Sequence, residues 1–197
     1  AYQRASATPV EEDPDNRWLA HFSRRRLEAE ELRDSLLMVS GRIDLSFAEA
    51  HPFPSEETWK FTQHRPFNAV YETNRRSAFL MVQRQQRHPF LALFDGADPN
   101  ASTPVRPTTT VPTQALYFMN DSFFHEQAAA LATRLTEIAD DELRTTHVFQ
   151  SLFQRNPTDA ERNRVHRVLS AYQVDAKGQW AAICRILLSS NEFLTVE

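Results

Sequence analysis

The sequence predicts a mainly α protein, a bundle of antiparallel helical hairpins with an irregular, Pro-rich and aromatic section in its middle. Three observations predict this fold class. Apolar residues recur at helical spacing near both ends of the chain, and this periodicity is lost between Arg42 and about Pro112. Prolines concentrate in the same middle stretch, where they interrupt helices. The chain holds only three glycines, so each of them is a candidate element boundary.

These patterns divide the chain into three sections of one expected domain, residues 1–197. N-terminal helices occupy 1–41, an irregular section that we call the cap section occupies 42–111, and helical hairpins occupy 112–197. The cap section is too aromatic for a free linker, because burying each large aromatic contributes roughly 2 kcal/mol or more.

The N-terminal section predicts two helices. Asp13-Pro14-Asp15-Asn16 is typical of a helix start, with Asp as the cap and Pro in the first turn, and it predicts a short helix through Phe22. Ser23 is the predicted cap of a second helix, which Gly41 ends by taking up a left-handed conformation. The apolar residues of this second helix recur at 3-4-3 spacing: Ala29, Leu32, Leu36 and Val39.

The cap section contains two short candidate elements. Residues 68–71 and 77–82 flank the polar turn Glu72-Thr73-Asn74-Arg75 and predict a short β-hairpin, with a helix over 77–87 as the open alternative. His88-Pro89 begins a helix of one or two turns that stops at Asp95-Gly96.

The last section predicts helical hairpins. Pro112 opens a short helix through Phe118, and Asp121 or Ser122 caps a longer one that runs to Ile138. The apolar residues of this longer helix repeat at 4-3-4-3 spacing: Phe124, Ala128, Leu131, Leu135 and Ile138.

Three more helices follow it. Asp140 caps the first, which Asn156-Pro157 ends, because a residue before proline avoids helical geometry. Thr158 and Glu161 form a capping box for the second, and the third lies beyond Gly178. The short connections favour antiparallel neighbours packed as a bundle.

Composition limits the partners that the chain can have. Its formal net charge is −4, from 22 basic and 26 acidic residues that are well mixed, which argues against nucleic acid as a partner. No apolar run approaches the roughly 20 residues that a membrane span needs. Because the chain opens at Ala1 among polar residues, we expect it to be a piece of a longer protein.

The sequence predicts neither a cofactor nor a metal site. Covalent haem of the c type needs Cys-x-x-Cys-His, and the single cysteine, Cys184, lies in an apolar stretch where a buried, inert thiol is expected. His51, His64 and His88 share the cap section with acidic residues, but none has the His-x-x-x-His spacing of a metal site.

A calcium loop is also a weaker interpretation than an ordinary turn. Asp98-Pro99-Asn100-Ala101-Ser102 places oxygen ligands at positions one, three and five. Thr103 and Thr109 then stand where calcium loops carry Gly and Glu, so a proline turn is the favoured interpretation.

Four residues are the candidates for catalysis, if the chain has any. The carboxylates Asp95, Asp98 and Glu72 could supply an acid–base pair of the kind that glycoside hydrolysis requires, and His64 is the fourth candidate for a hydrolase. No nucleophile elbow, phosphate-binding glycine loop or zinc-peptidase helix is present.

Two groups of arginines are expected to be structural. Arg24-Arg25-Arg26 should lie on a solvated face and pair locally with Glu28, Glu30 or Glu31. Arg75-Arg76 and Arg106 lie at the edges of the cap section, and they are candidates for buried ion pairs that fasten its loops.

A set of short motifs extends over nearly the whole chain. It comprises Asp13-Pro14-Asp15-Asn16-Arg17, Arg25-Arg26-Leu27-Glu28-Ala29-Glu30, Arg33-Asp34, Val39-Ser40-Gly41, Thr62-Gln63-His64, Arg75-Arg76-Ser77, Arg87-His88-Pro89-Phe90-Leu91, Phe94-Asp95-Gly96, Thr109-Thr110-Val111-Pro112-Thr113-Gln114-Ala115-Leu116, Arg155-Asn156-Pro157-Thr158 and Asn191-Glu192-Phe193. In combination these motifs resemble the planctomycete-specific C-terminal domain of unknown function.

The resemblance implies a context and no catalytic residues. In that family the domain is the last module of long exported proteins and commonly follows a cytochrome-c-like module, so the implied location is extracytoplasmic. The implied partners are other domains of the same polypeptide, among them the cytochrome-c-like module. One departure is visible, because Ala48-Glu49-Ala50 stands where many relatives carry a Gly-Gly-Pro turn.

The favoured hypothesis for function is therefore a non-catalytic interaction or scaffold module of an exported protein linked to redox or polysaccharide metabolism. The alternatives are a hydrolase acting on extracellular polysaccharide and a carbohydrate-binding module that uses exposed aromatics such as Trp59. Exposure would separate them, since an enzyme or sugar binder should gather aromatics and carboxylates in one open groove.

Overall fold

The computed structural model describes residues 17–18, 24–47, 55, 57, 70–84, 86–172 and 174–196. In this part of the chain the fold is mainly α, as predicted. It has seven α-helices and one two-stranded antiparallel sheet. In chain order the elements are β1 (Arg25–Arg26), α1 (Ala29–Ser40), α2 (Pro89–Leu93), α3 (Pro112–Asn120), α4 (Ser122–Thr136), α5 (Asp141–Phe153), α6 (Asp159–Ala171), α7 (Ala176–Leu188) and β2 (Thr195–Val196).

Side-chain caps fix the starts of the later helices where the sequence places them. The Asp121 carboxylate accepts the backbone N–H of Phe123 at 2.9 Å at the start of α4. The Asp140 carboxylate accepts the N–H of Leu143 at 3.0 Å at the start of α5. These bonds satisfy amides that have no partner within their helices, so both predicted caps are confirmed.

The predicted start of α1 is wrong. Ser23 lies outside the described residues, and the helix begins six residues later, at Ala29, after an extended segment. That segment is extended because Arg25 and Arg26 pair with Val196 and Thr195 in the two-stranded sheet. The predicted end is confirmed, since Gly41 follows α1 with φ of +75°, a conformation that favours glycine.

The predicted position of the hairpin is also wrong. Residues 77–79 form a single 3-10 turn, neither the strand over 77–82 nor the helix over 77–87, and residues 68–69 lie outside the described part. This segment is held by α1 instead of by a neighbouring strand, because the N–H of Ser77 donates to Asp34 at 2.7 Å. The two-stranded sheet of the structure is β1–β2, which joins segments about 170 residues apart.

Gly178 does not precede α7 as expected. It lies in the first turn of the helix, which begins at Ala176, and its N–H donates to the cap residue Asp175 at 3.1 Å. The short helix predicted from Asp13 to Phe22 falls outside the described residues, apart from 17–18.

One hydrophobic cluster joins the helices, and the packing of α4 against α7 forms its centre. The predicted stripe of α4 faces this centre, where Phe124 and Ala128 are fully buried and Leu131 is 3% exposed. On α7, Trp180 and Cys184 are fully buried. Loss of solvation raises the pKa of the Cys184 thiol to about 12, so the thiol is neutral and protected, as predicted.

Truncating the middle of the α4 stripe should destabilise the protein strongly. We expect Leu131→Ala to lower the free energy of unfolding by about 2–5 kcal/mol, through lost apolar burial and a residual cavity. Leu143→Ala is the matched control, because Leu143 lies on α5 and is 60% exposed. Urea unfolding of both variants measures the difference, and similar losses would contradict the α4–α7 packing.

No helix in the described part of the chain is long and apolar enough to cross a membrane.

Candidate functional site

Asp95, the first catalytic candidate, is engaged in a structural contact. It follows α2 with φ of +63°, a left-handed conformation that Asp tolerates better than most residues. Its carboxylate accepts the backbone N–H of Thr109 at 2.7 Å and the hydroxyl of Thr109 at 2.9 Å. Next to it, a Cβ on Gly96 would lie 2.7 Å from the carbonyl oxygen of Leu91, so this turn requires glycine. Asp95 therefore closes the loop from α2 to Thr109.

If Asp95 is structural, its removal should cost stability. We expect Asp95→Ala to lower the free energy of unfolding by about 1–3 kcal/mol, because it unpairs the Thr109 amide and forces alanine into a left-handed conformation. Thr109→Val should remove part of the same contact, so the two losses should not add in the double variant. A catalytic Asp95 would instead leave the melting curve nearly unchanged or raise its midpoint, because active sites are held at a cost to stability.

Asp98 belongs to a neighbouring turn and does not share the environment of Asp95. Its carboxylate accepts the backbone N–H of Asn100 at 2.8 Å. The Asn100 side chain in turn donates to the carbonyl of Arg84 at 2.8 Å. The segment is thus a side-chain-stabilised turn of the kind that the proline and asparagine predict.

The four candidates do not form one described site. Glu72 is exposed, and His64, like His51 and Trp59, lies outside the described residues. Asp95 borders a groove that Asp98 and Glu72 do not line. Within the described ranges, no three His, Cys, Asp or Glu side chains come together as a possible metal site.

Among the described residues the most buried charge is Arg33, on α1; the motif Arg33-Asp34 is part of the family resemblance, but the sequence does not predict its burial. Its side chain is 1% exposed. The guanidinium donates to the carbonyl of Thr73, to the carbonyl of Arg75 at 3.0 Å and to the hydroxyl of Ser77 at 3.3 Å. It also lies over the ring of Phe123, 5.6 Å from the centroid. Arg33 therefore connects α1 to residues 73–77 of the cap section.

The arginines predicted to do this lie closer to the surface. Arg75 is 3.4 Å from Asp44 with a side chain 31% exposed. Arg76 is 3.9 Å from Asp34 with a side chain 57% exposed, so the prediction of a buried ion pair is wrong for Arg76. Arg75 and Arg76 are more exposed than Arg33 because they lie in an irregular segment, whereas Arg33 belongs to the buried side of α1.

Arg106 and Arg25 form ion pairs with the first turn of α1. Arg106 is partly buried and lies 2.6 Å from Glu30 and 3.1 Å from Glu28. Arg25 donates to both carboxylate oxygens of Glu31, at 2.6 and 2.7 Å, which confirms the predicted local pairing for Arg25. The prediction is wrong for Arg26, which donates to the carbonyl of Thr109 and to the side chain of Gln114 at 3.1 Å. The acidic start of α1 is therefore paired with one arginine from β1 and one from the end of the cap section.

Tyr117, on α3, completes a polar group around Arg33. Burial and a hydrogen bond with Asp121 raise the pKa of its phenol, and the charges of Glu72 and Arg33 also act on it. Its ring packs edge-on against Phe90 and Phe94 of the α2 region, with centroids 5.4 and 5.5 Å away. These aromatics confirm the expectation that the cap-section phenylalanines at 90 and 94 are buried.

A groove of about 790 Å³ lies beside α1, the end of α5 and the segment that ends in β2. We call it the α1 groove. Met38 and Leu45 at its rim are 52% and 61% exposed. Its other apolar residues include Leu27, Val39, Ile43, Leu152, Phe193 and Val196.

Two carboxylates of the α1 groove, Glu31 and Glu192, accept hydrogen bonds from arginines. Glu31 is bound by Arg25, and this hydrogen bond lowers the pKa of the Glu31 carboxyl. Glu192 accepts two hydrogen bonds from Arg155, at 2.7 and 2.8 Å. The hydrogen bond from Arg25 stabilises Glu31 as a carboxylate, which does not suit Glu31 to exchange protons with a substrate near neutral pH.

Comparison with known proteins gives a family and no function. Residues 1–169 match the family described as PSD1, protein of unknown function (DUF1553). No curated protein matches the chain. No solved structure matches it. Because the match covers most of the chain, from before β1 into α6, this protein belongs to the PSD1 (DUF1553) family of proteins of unknown function.

Proposed function

We propose that this chain is a non-catalytic interaction module that docks on other domains of a longer, exported polypeptide through the α1 groove. The proposed context is a planctomycete-type protein of redox or polysaccharide metabolism, outside the cytoplasm, with a cytochrome-c-like module among the docking partners. The resemblance of the sequence motifs supports this context. The observation that supports an interaction role is the open, apolar α1 groove, in which Glu31 and Glu192 are paired with arginines.

Apolar exposure favours a protein partner for this groove. Exposed apolar side chains are common singly, but contiguous ones beside a groove are typical of interaction surfaces. Met38 and Leu45 border the same groove as the partly buried Leu27 and Val39. A partner that covers them would remove apolar area from water without having to break the surrounding ion pairs.

The described carboxylates give little support to catalysis. Acid–base chemistry needs a group that can gain and lose a proton near the working pH. In the α1 groove Glu31 and Glu192 are bound by arginines. Outside it, Asp95 is bound by Thr109 and Asp98 by its own turn.

Site-specific photo-crosslinking in the full-length polypeptide tests the proposal. A photo-reactive amino acid in place of Leu45 should crosslink to residues of another domain, which mass spectrometry of the digested product identifies. The same amino acid in place of Leu143 is the control, because Leu143 is equally exposed and lies outside the groove. The control should give no interdomain crosslink.

Two results would contradict docking. The first is equal crosslinking from both positions, which indicates collision without a specific surface. The second concerns a variant that carries the photo-reactive amino acid in place of Met38 together with Leu45→Glu. If this variant is less stable but still crosslinks to the other domain, the α1 groove is not the docking surface. Binding of a soluble polysaccharide that is abolished by Leu45→Glu would favour the carbohydrate-binding alternative.

A further inference from the structure

His88 lies at the junction between the cap section and the helices, immediately before α2, and its backbone carbonyl accepts the N–H of Ala92 at 2.9 Å. Both ring nitrogens are buried, and neither has a hydrogen-bond partner in the described part of the chain. A neutral imidazole offers one donor and one acceptor, and buried groups of this kind are normally paired. The buried ring nitrogens of His88 depart from this rule.

The two charges near His88 have opposite effects on the protonation of its ring. Arg33 disfavours a positive imidazole and Glu72 favours it, while burial has the largest effect and lowers the pKa of His88. Arg33 also interacts with Asp34 on α1, and both Arg33 and Glu72 interact with Tyr117, which is hydrogen-bonded to Asp121 at the start of α4. These are the ionisable groups that act on the ring, directly or through one another, among the described residues.

Protonation would turn both ring nitrogens into donors without acceptors and add a cation beside the buried Arg33. Burying a charge without a partner is costly, and the cost is relieved when the ring reaches water. Because His88 immediately precedes α2, a movement that brings its ring to water acts directly on the first turn of that helix. Helix α2 has only five residues, and its region is attached to α3 by the contacts of Phe90 and Phe94 with Tyr117 and by a hydrogen bond that the Gln114 side chain donates to the carbonyl of Leu93 at 2.9 Å.

We propose that His88 is an acid-sensitive latch: its protonation releases α2, with the turn at Asp95, from α1 and α3 while α4 and α7 stay packed. The device does not depend on the proposed docking function. It would expose the aromatic faces of Phe90 and Phe94 in acid and cover them at neutral pH.

The direction of the pH effect follows from linkage. The unfolded chain has a histidine pKa of about 6.5, and the pKa of His88 in the fold is lower. The stability contributed by the neutral ring is therefore complete above about pH 6.5 and is lost as the pH falls through the lower, folded value. A released α2 at pH 5 and a protected α2 at pH 7.5 are the expected states.

Hydrogen exchange of the full chain, corrected for intrinsic exchange rates, tests the latch at these two pH values. Protection factors of amides in α2 should fall by about tenfold or more at pH 5, since one pKa unit changes a population tenfold. Those in α4 and α7 should stay within about threefold. His88→Gln should remove the difference in α2, and His147→Gln, an exposed histidine on α5, should retain it.

Three outcomes would overturn the proposal. They are an unchanged protection of wild-type α2 at pH 5, an equal loss in α2, α4 and α7, and the same pH dependence in His88→Gln as in the wild type. If His88→Gln fails to fold, the NMR titration of the His88 ring in the wild type decides, because a pKa at or above 6.5 contradicts a latch of this kind.

Discussion

Arg33→Ala is expected to lower the free energy of unfolding by about 3–5 kcal/mol, because it removes a buried cation that bonds with several cap-section groups. The carbonyl oxygens of Thr73 and Arg75 would lose their described donor, and a void would open beside Phe123. Arg33→Lys should cost less but still destabilise, since a single ammonium cannot reproduce the fork of the guanidinium. Denaturant unfolding at pH 7 measures both losses.

Arg76→Ala is the matched control for Arg33→Ala. The two arginines approach the same carboxylate, that of Asp34, each at 3.9 Å, but only Arg33 is buried. Exposed ion pairs contribute roughly 0–1 kcal/mol, so the control should change the unfolding midpoint little. A loss for Arg76→Ala as large as that for Arg33→Ala would mean that attraction to Asp34, and not the buried carbonyl network, holds the cap section.

Trp180→Ala should have the other large effect, a loss of about 3–5 kcal/mol. Among the described residues the indole is the largest fully buried side chain; it lies on α7 in the centre of the core and donates from Nε1 to Asp141 at 3.1 Å. Its removal would leave a cavity between α4 and α7 and remove one of the two donors to the Asp141 carboxylate oxygen, which Arg144 also contacts at 2.6 Å. Thermal unfolding followed by circular dichroism measures the change.

Trp180→Phe separates these two contributions. It keeps most of the aromatic burial and removes the N–H donor, so we expect a smaller loss, about 1–2 kcal/mol. Equal losses for the alanine and phenylalanine variants would show that the hydrogen bond to Asp141, and not packing, accounts for the effect of Trp180.

The helices of the last section could be predicted because their information is local. Asp121, Asp140 and Thr158 each cap the helix that follows them, and the apolar spacing of α4 marks the face that packs on α7. Such signals need only the residues of one helix and its first turn. They hold regardless of what the rest of the chain does.

The start of α1 and the burial of Arg33 could not be predicted in this way. Ser23 is a good cap by residue type, but Arg25 and Arg26 are extended because a distant two-residue strand pairs with them. Arg33 looks like an ordinary charged helix residue until the carbonyls of residues 73 and 75 cover it. Strand pairs of two residues have no alternation pattern, so nothing in the local sequence indicates them.

The candidate carboxylates show the same limit. Asp95 and Asp98 were singled out because two acids lie close together in an irregular section, and sequence proximity is only weak evidence of a shared site. The structure gives each of them a separate turn to hold. The buried Arg33 and the partnerless His88 are visible only once helices and loops have been brought together.

The buried thiol of Cys184 can be used to measure how often the hydrophobic core opens. It is the only cysteine of the chain, it is fully buried where α7 faces the core, and its pKa is raised to about 12. A thiol reagent can therefore modify it only in molecules in which the core has transiently separated, because the thiolate is the reactive form. When reclosing is faster than modification, the labelling rate relative to that of the unfolded chain gives the free energy of that opening without any denaturant.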